Sequence, residues 1–343
     1  MHAIPPPILP PSPAGSRQPA DGRGRRLDLL AAGLLGITFV GWCGRWHWIP
    51  ELAGHFSWYW LCIATAGLVA ALVIGRRRAL LPLVAALALN AWPLAPYWLP
   101  VAGPGAAGSA RAAAGADAAP TGSVSIVSLN LLASNRNVDR VVAYLRDRNA
   151  DLVGLLEVDD FWAHAIAGLA DRYPHRLVVP RDDNFGIALL SRLPLDAVRE
   201  AEFGGATVPT IVADVRHPGG DFTFIATHPL SPIRADWSRL RDAQLRAIAD
   251  FVAAADRPCI VAGDFNATPW SPIGREFAAR SGLCDTALGR GLQATWNARV
   301  WMPRIPIDHV YAPARTTVVR RGIGPDVGSD HLPVEAEFVL PGK

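Results

Sequence analysis

Gly263-Asp264-Phe265-Asn266-Ala267-Thr268-Pro269 closes the apolar run Cys259-Ile260-Val261-Ala262. A short apolar run followed by turn-forming residues reads as a buried strand. Side chains alternate across a strand, so Asp264 and Asn266 share one side of its end while Phe265 faces the core. A carboxylate so placed can bind a metal or orient a nucleophile. An amide beside it can hold a phosphoryl oxygen without adding like charge. Asp and Asn also favour plain turns, so the stretch takes its meaning from what surrounds it.

The same arrangement recurs outward along the chain. Asn130 ends the strand pattern Val124–Asn130, and Glu157 follows the apolar run Leu152–Leu156. Ser329-Asp330-His331 precedes a last strand at about 334–339. Rigid oxygen ligands at strand ends are what a Mg²⁺ or Mn²⁺ site needs, because the cation keeps several waters for substrate phosphate. His331 has two candidate carboxylate partners: its neighbour Asp330, and Asp308 at the start of the strand pattern Ile307–Ala312. A His–Asp pair fixes the imidazole tautomer and raises its basicity, suiting it to take a proton from water. His228 ends the strand Phe222–Thr227 and is placed to donate to a phosphoryl oxygen as charge develops. Taken singly, each fragment reads as loop punctuation or a structural histidine; the argument rests on their joint occurrence in order. His309, Asp182 and Asp183 lack such partners and read as structural.

Between these residues the texture is α/β. Further strands are expected at about 175–179, 185–190, 209–215 and 316–321, with helices over 137–148, 159–171 and 234–255. That mixture fits an α/β domain with sizeable sheets over residues 123–343.

The N-terminal part has another character. Residues 1–20 hold seven prolines and no apolar periodicity, so 1–26 reads as a disordered, Pro-rich cytoplasmic tail. Three apolar stretches follow, about 27–44, 56–75 and 79–99, without the polar stripe of a globular helix. Residues 27–100 are therefore expected to form three transmembrane helices. No small-x-small cleavage site follows the first stretch, which argues against a cleaved signal peptide. Arg23, Arg25 and Arg26 precede the first stretch, and Arg76-Arg77-Arg78 separate the second from the third. Both clusters belong in the cytoplasm. The aromatics Trp42, Trp46, Trp48, Trp58, Tyr59, Trp60, Trp92, Tyr97 and Trp98 gather at the opposite ends, as an interfacial belt does. This topology makes the protein multi-pass in the plasma membrane, with residues 123–343 extracytoplasmic. Residues 101–122 are nearly all Ala, Gly, Pro and Ser and read as a flexible linker, letting the domain move over the membrane surface.

Charge narrows the partners. Residues 1–120 carry nine Arg and four acidic residues, a net of +5, against +3 for the whole chain, so residues 121–343 carry about −2. A domain without basic excess is poorly suited to gripping nucleic acid. Cys43 and Cys62 sit in apolar stretches as small hydrophobes. Cys259 and Cys284 would pair only in an oxidising compartment, and two buried free thiols is the preferred reading.

The ordered motifs SLN (128–130), GLLEV (154–158), GIALLSRLP (186–194), THP (227–229), GDFNATPWS (263–271), IDHVY (307–311) and SDHLPV (329–334) resemble the endonuclease/exonuclease/phosphatase (DNase I-like) superfamily. The resemblance spans residues 124–340 and implies a four-layer α/β sandwich, two mixed β-sheets packed face to face with helices outside. It implies Glu157 as principal metal ligand, with Asn130 and Asp330 in the metal site. Asp264 would orient or deprotonate the attacking water, and Asn266 would contact the phosphate. His331, paired with Asp308, would serve as general acid/base, and His228 would stabilise the phosphoryl transition state. The spans are similar to those of a membrane-anchored bacterial subgroup with an outward-facing domain, some members of which are linked to glycopeptide resistance. By that analogy the chain is expected to be an extracytoplasmic, Mg²⁺- or Mn²⁺-dependent phosphoester hydrolase acting on a lipid-linked or cell-envelope phosphate or pyrophosphate. The alternatives are a DNase I-like endonuclease and a sphingomyelinase- or phospholipase C-like phosphodiesterase. The expected partners are the lipid bilayer and the phosphate-containing substrate, with nucleic acid second and no protein partner.

Overall fold

The computed structural model describes residues 22–100 and 122–341; the Pro-rich segment through residue 21 and the linker residues 101–121 lie outside the described residues. The first part is helical: α1 (Gly22–Trp42), a 3-10 turn (Cys43–Arg45), α2 (Trp48–His55), α3 (Ser57–Val73) and α4 (Arg77–Trp98). The second part runs β1 (Ser123–Asn130), α5 (Val138–Arg148), β2 (Leu152–Leu156), α6 (Asp160–Ala167), β3 (His175–Val179), β4 (Ile187–Ser191), β5 (Leu195–Ala201), β6 (Thr210–Val215) and β7 (Phe222–Thr227). It continues with α7 (Ala235–Ala253), β8 (Cys259–Asp264), α8 (Pro272–Ser281), β9 (Leu283–Asp285), β10 (Asp308–Pro313), β11 (Thr317–Ile323) and β12 (Val334–Val339).

Two six-stranded mixed sheets carry this second part, ordered β11-β12-β1-β2-β4-β3 and β5-β6-β7-β8-β10-β9. Their inner faces close on one core that joins Val124, Ile126, Leu189 and Phe338 of one sheet to Phe222, Phe224, Ile260 and Val310 of the other. The outer face of the first sheet packs on α5 and α6 through Val141, Leu145, Trp162 and Ile166. The outer face of the second packs on α7 and α8 through Leu245, Ile248, Ile273 and Phe277. The result is the expected four-layer α/β sandwich. With both faces covered, the central strands read as unbroken apolar runs.

Three registers gather the strand ends. Parallel β1 and β2 pair Asn130 with Leu156, leaving Glu157 one step beyond. Parallel β7 and β8 pair Thr227 with Gly263, leaving His228 and Asp264 adjacent. Antiparallel β8 and β10 pair Asp264 with Asp308 directly. Gly263 permits the second of these: its φ is +150°, and an added Cβ would lie 1.9 Å from the Thr227 carbonyl oxygen.

In the helical part, Gly24–Arg45 and α4 are long and apolar enough to cross a membrane; α2 and α3, meeting at a 60° bend, make a third candidate if taken as one broken span. The 22 residues of α4 span about 33 Å, enough for a hydrocarbon core of about 30 Å. Asp28 of α1 accepts two hydrogen bonds from Arg76 Nε, at 3.0 and 3.1 Å, so both arginine-bearing ends lie at one end of the bundle.

Residues 22–26, assigned to the tail, form the first turns of α1, because the arginines are good helix formers ahead of an apolar run. Residues Trp48–His55, which no sequence expectation covered, form the separate helix α2, capped by the His47 side chain, which accepts from the Ile49 N–H. In this structure α2, α3 and α4 dock on the sandwich. Tyr59 Oη donates to the Arg304 carbonyl at 2.8 Å, Trp270 Nε1 donates to the Gly54 carbonyl at 3.1 Å, and the Gly291 N–H donates to the Tyr97 carbonyl at 2.7 Å. Part of the aromatic belt is thus a protein–protein contact, with Tyr97 meeting Trp270 edge-on. All four cysteines are free thiols, Cys259 buried and Cys284 half-buried.

Candidate active site

The strand ends converge as their registers dictate. Asn130 Nδ2 donates to Glu157 Oε1 at 3.0 Å and to Asp264 Oδ2 at 3.3 Å, while the Ala133 N–H holds Glu157 Oε2 at 2.9 Å. Glu157 and Asn266 both sit at left-handed φ, +59° and +48°. Non-glycine residues held there store strain, as functional sites often do. Asn266 is fixed on both sides: its N–H donates to Asp264 Oδ1 at 2.8 Å and its Nδ2 to the Pro229 carbonyl at 2.9 Å.

Two imidazoles flank the Asp264 carboxylate. His228 Nε2 lies 3.6 Å and His331 Nε2 3.7 Å from Asp264 Oδ2. His331 Nδ1 pairs with Asp308 Oδ2 at 2.8 Å, so Asp308 and not the adjacent Asp330 is its partner. Asp330 Oδ2 instead accepts from Trp296 Nε1 at 3.2 Å, and its Oδ1 is buried without a hydrogen-bond partner. Ser329 ties the motif down: its hydroxyl donates to the Asn130 carbonyl at 2.7 Å and accepts from the His331 N–H at 3.0 Å.

The electrostatics sort these groups. Burial alone would lower the His331 pKa, but Asp308, Asp264 and Asp330 outweigh it and raise it to about 10. Burial raises Asp264 above the usual carboxylate range, and the Asp308 charge adds to the effect. Burial likewise opposes ionisation of Asp308, yet the His331 charge and hydrogen bond more than offset it. His228 is lowered, chiefly by burial, and its Nδ1 has no partner. The imidazole expected to take a proton from water therefore already holds one at neutral pH. Asp264 is the acceptor left, flanked by a cationic and a neutral imidazole.

These groups open into a cavity of about 730 Å³, within the size range of small-molecule sites. Glu157, His228, Asp264, Asn266, Asp330 and His331 line one side. Phe185, Ile233, Trp237 and Ile305 line another, and Trp48, Leu52, His55 and Phe56 come from α2 and the bend after it. Among the described residues no Lys or Arg lines it. Asp183, read from sequence as structural, stands at the cavity but is engaged by Arg181. His309 lies outside the cavity lining, buried 3.3 Å from Asp285.

The α2 wall was not foreseen in the sequence, although a signal existed. Glu51 is a carboxylate in otherwise apolar surroundings, and such residues mark function or a specific partner. Its partner is Arg241 of α7: Nη2 donates to Glu51 Oε2 at 2.6 Å, and both side chains are buried. Arg241 Nη1 also donates to the Asn266 carbonyl at 3.1 Å, so α2 is linked to the Asp264–Asn266 turn through one guanidinium.

A profile of the Endonuclease/Exonuclease/phosphatase family matches residues 127–331, more than half the chain. The chain belongs to this family. Its enzymes hydrolyse phosphoesters and depend on divalent metal, and this protein is a phosphoester hydrolase of that kind. Among solved structures, the family protein from Beutenbergia cavernae DSM 12333 is 25% identical, covering 64% of this chain and 72% of its own, with a TM-score of 0.53. A D. rerio TDP2 humanized by 14 mutations is 19% identical, covering 64% of this chain and 99% of its own, at 0.54. Sphingomyelinase C from Streptomyces griseocarneus is 20% identical, covering 63% and 99%, at 0.50. The latter two likenesses speak for the fold alone. A search of curated proteins finds no match.

The family's metal has two candidate seats. Asp264, Asp308 and His331 offer ligand atoms within 4.8 Å of one another. Glu157 and Asp330 offer carboxylate oxygens on the same cavity, with Asn130 behind them, its Nδ2 donating to Glu157 and its Oδ1 accepting from the Leu132 N–H. A hard cation prefers oxygen, and in the first group the His331–Asp308 hydrogen bond already occupies Nδ1. The partnerless Asp330 Oδ1 fits the second seat, because a buried carboxylate oxygen otherwise goes uncompensated.

Proposed function

We propose that this family member is a membrane-anchored, extracytoplasmic Mg²⁺- or Mn²⁺-dependent hydrolase of a lipid-borne phosphate or pyrophosphate ester. The observation that carries this reading is the composition of the cavity. Phosphoester machinery shares it with a broad apolar wall and with no Lys or Arg, whereas a nucleic-acid site requires cationic side chains for the flanking phosphates.

Glu157 and Asp330, with Asn130 behind them, would hold the cation, which when bound would supply positive charge to the phosphoryl group and activate water. Asp264 orients the attacking water and takes its proton. Asn266 contacts a phosphoryl oxygen. His331, kept cationic by Asp308, stabilises the charge that develops on the phosphoryl group and returns a proton to the leaving oxygen. His228 donates from Nε2 to the same group.

The test is phosphate or headgroup release by the full chain in detergent, with Mg²⁺ or Mn²⁺ against EDTA. The panel is a polyprenyl pyrophosphate, phospholipids, sphingomyelin and plasmid DNA. Metal-dependent turnover of a lipid, reduced about 10²–10⁴-fold in His331→Ala, is the expected outcome. Turnover of sphingomyelin or phospholipid alone would make it a phosphodiesterase of the phospholipase C type. DNA nicking with every lipid left intact would refute the lipid reading.

A further inference from the structure

The apolar wall raises a question of its own: why the cavity persists. α2 is not loosely placed. Glu51 is paired with buried Arg241, Gly54 accepts from Trp270, and His55 Nδ1 lies 3.0 Å from the Thr268 hydroxyl. An apolar helix held this firmly would ordinarily close down on the apolar surface facing it, since interiors pack densely. Instead α2 and the side chains of Phe185, Ile233 and Trp237 stand on walls of the cavity of about 730 Å³ that also holds the site residues. An apolar wall left facing an open cleft is surface that an apolar ligand would cover.

We propose that the occupant is the hydrocarbon chain of the substrate, and that Trp48, Leu52 and Phe56 of the α2 segment set which chains are accepted. The inference rests on the lipid-borne reading above and goes further, assigning specificity to residues outside the family-matched segment 127–331. Three observations support it. The wall lines the same cavity as Asp264, Asn266 and His331, so a chain lying on it carries its phosphate to the strand ends. α2 leads at a 60° bend into α3, in a bundle whose other long helices are apolar enough to cross a membrane, which places the wall next to where hydrocarbon chains reside. The cavity also has an apolar residue that reaches solvent: Ile233 of its lining is 63% exposed. An exposed apolar rim beside a polar site suits an amphiphile and does not suit a free nucleotide or sugar phosphate.

Chain-length dependence tests the assignment. The full-length protein in detergent would be given alkyl p-nitrophenyl phosphodiesters of four, eight, twelve and sixteen carbons, with p-nitrophenolate release as the readout. The ratio of kcat/KM for the twelve-carbon over the four-carbon ester is expected to exceed about tenfold, because each further methylene buried on the wall adds to binding. It is expected to fall severalfold in Trp48→Ala and Leu52→Ala. Leu52→Trp, which fills the space, is expected to move the optimum to shorter chains, a shift that misfolding would not produce. Dodecylphosphonate and butylphosphonate, which are not hydrolysed, give a second readout by thermal stabilisation: the long chain stabilises the wild type more, and the difference shrinks in Leu52→Ala. A steep chain dependence that all three variants leave unchanged would overturn the role of α2 while leaving the lipid reading intact. A wild type indifferent to chain length in both turnover and stabilisation would remove the lipid reading together with the inference.

Discussion

His331 carries the most consequential charge in the protein. Three carboxylates face one buried imidazole and hold its proton up to about pH 10. Such a group stabilises the fold where it is charged in the folded but not the unfolded chain. Its folded pKa is raised above the ordinary value of 6.5, so its contribution is complete below about pH 6.5 and is lost as pH rises through about 10. Melting of the detergent-solubilised protein in EDTA, wild type beside His331→Gln, should therefore show its widest gap in melting temperature near pH 6 and a closing gap toward pH 10. A gap that widened with pH would mean that the imidazole is buried neutral. The residue types of the site were legible in sequence because strand ends present polar residues against apolar runs. The pairing of His331 with Asp308 was legible only through the family resemblance, since the residues alone left Asp330 and Asp308 both open. Asp330 adjoins His331 in the chain, yet the partner is Asp308, which the β8–β10 register sets beside Asp264, and no local pattern encodes such a long-range contact.

At the scale of elements, the Glu51–Arg241 pair decides how α2 meets the sandwich. Removing one partner of a buried ion pair strands the other, at a cost of about 3–5 kcal/mol. Arg241→Met should therefore lower the melting temperature sharply. It should also reduce kcat, because the Asn266 carbonyl loses its donor. Glu51→Met combined with Arg241→Met should recover most of the stability but not the turnover, and the double-mutant cycle measures the coupling. Additive losses would show that the two side chains act independently. Most strands were visible in the sequence as apolar runs. β5 was not: its register shifts between Asp196 and Arg199 and its burial does not alternate cleanly. The α8 signal was present but unread, for Ser271 caps the helix and Pro272 opens it. α2 was hidden because it is apolar on several sides, and helical periodicity is informative only when one face is polar.

At the scale of the molecule, the bundle separates two ends. The Asp28–Arg76 contact marks one; the docked α2, the C-terminal end of α4 and the cavity mark the other. With arginines retained on the cytoplasmic side, the proposed topology has the hydrolase domain facing outward. A protease added to intact cells should then digest a C-terminal tag and spare an N-terminal one; the reverse pattern would invert the proposed topology. The helical part does more than pack on the sandwich, since Trp48, Leu52, His55 and Phe56 line the cavity and Glu51 holds Arg241. Order of synthesis gains meaning from this. The ribosome delivers Glu51 long before Arg241, and β1 cannot complete its sheet until β12, its antiparallel partner, has emerged. Until both arrive, the nascent chain has no assembled site. The hydrolase is thus latent throughout its synthesis and becomes competent only once β12 has been delivered.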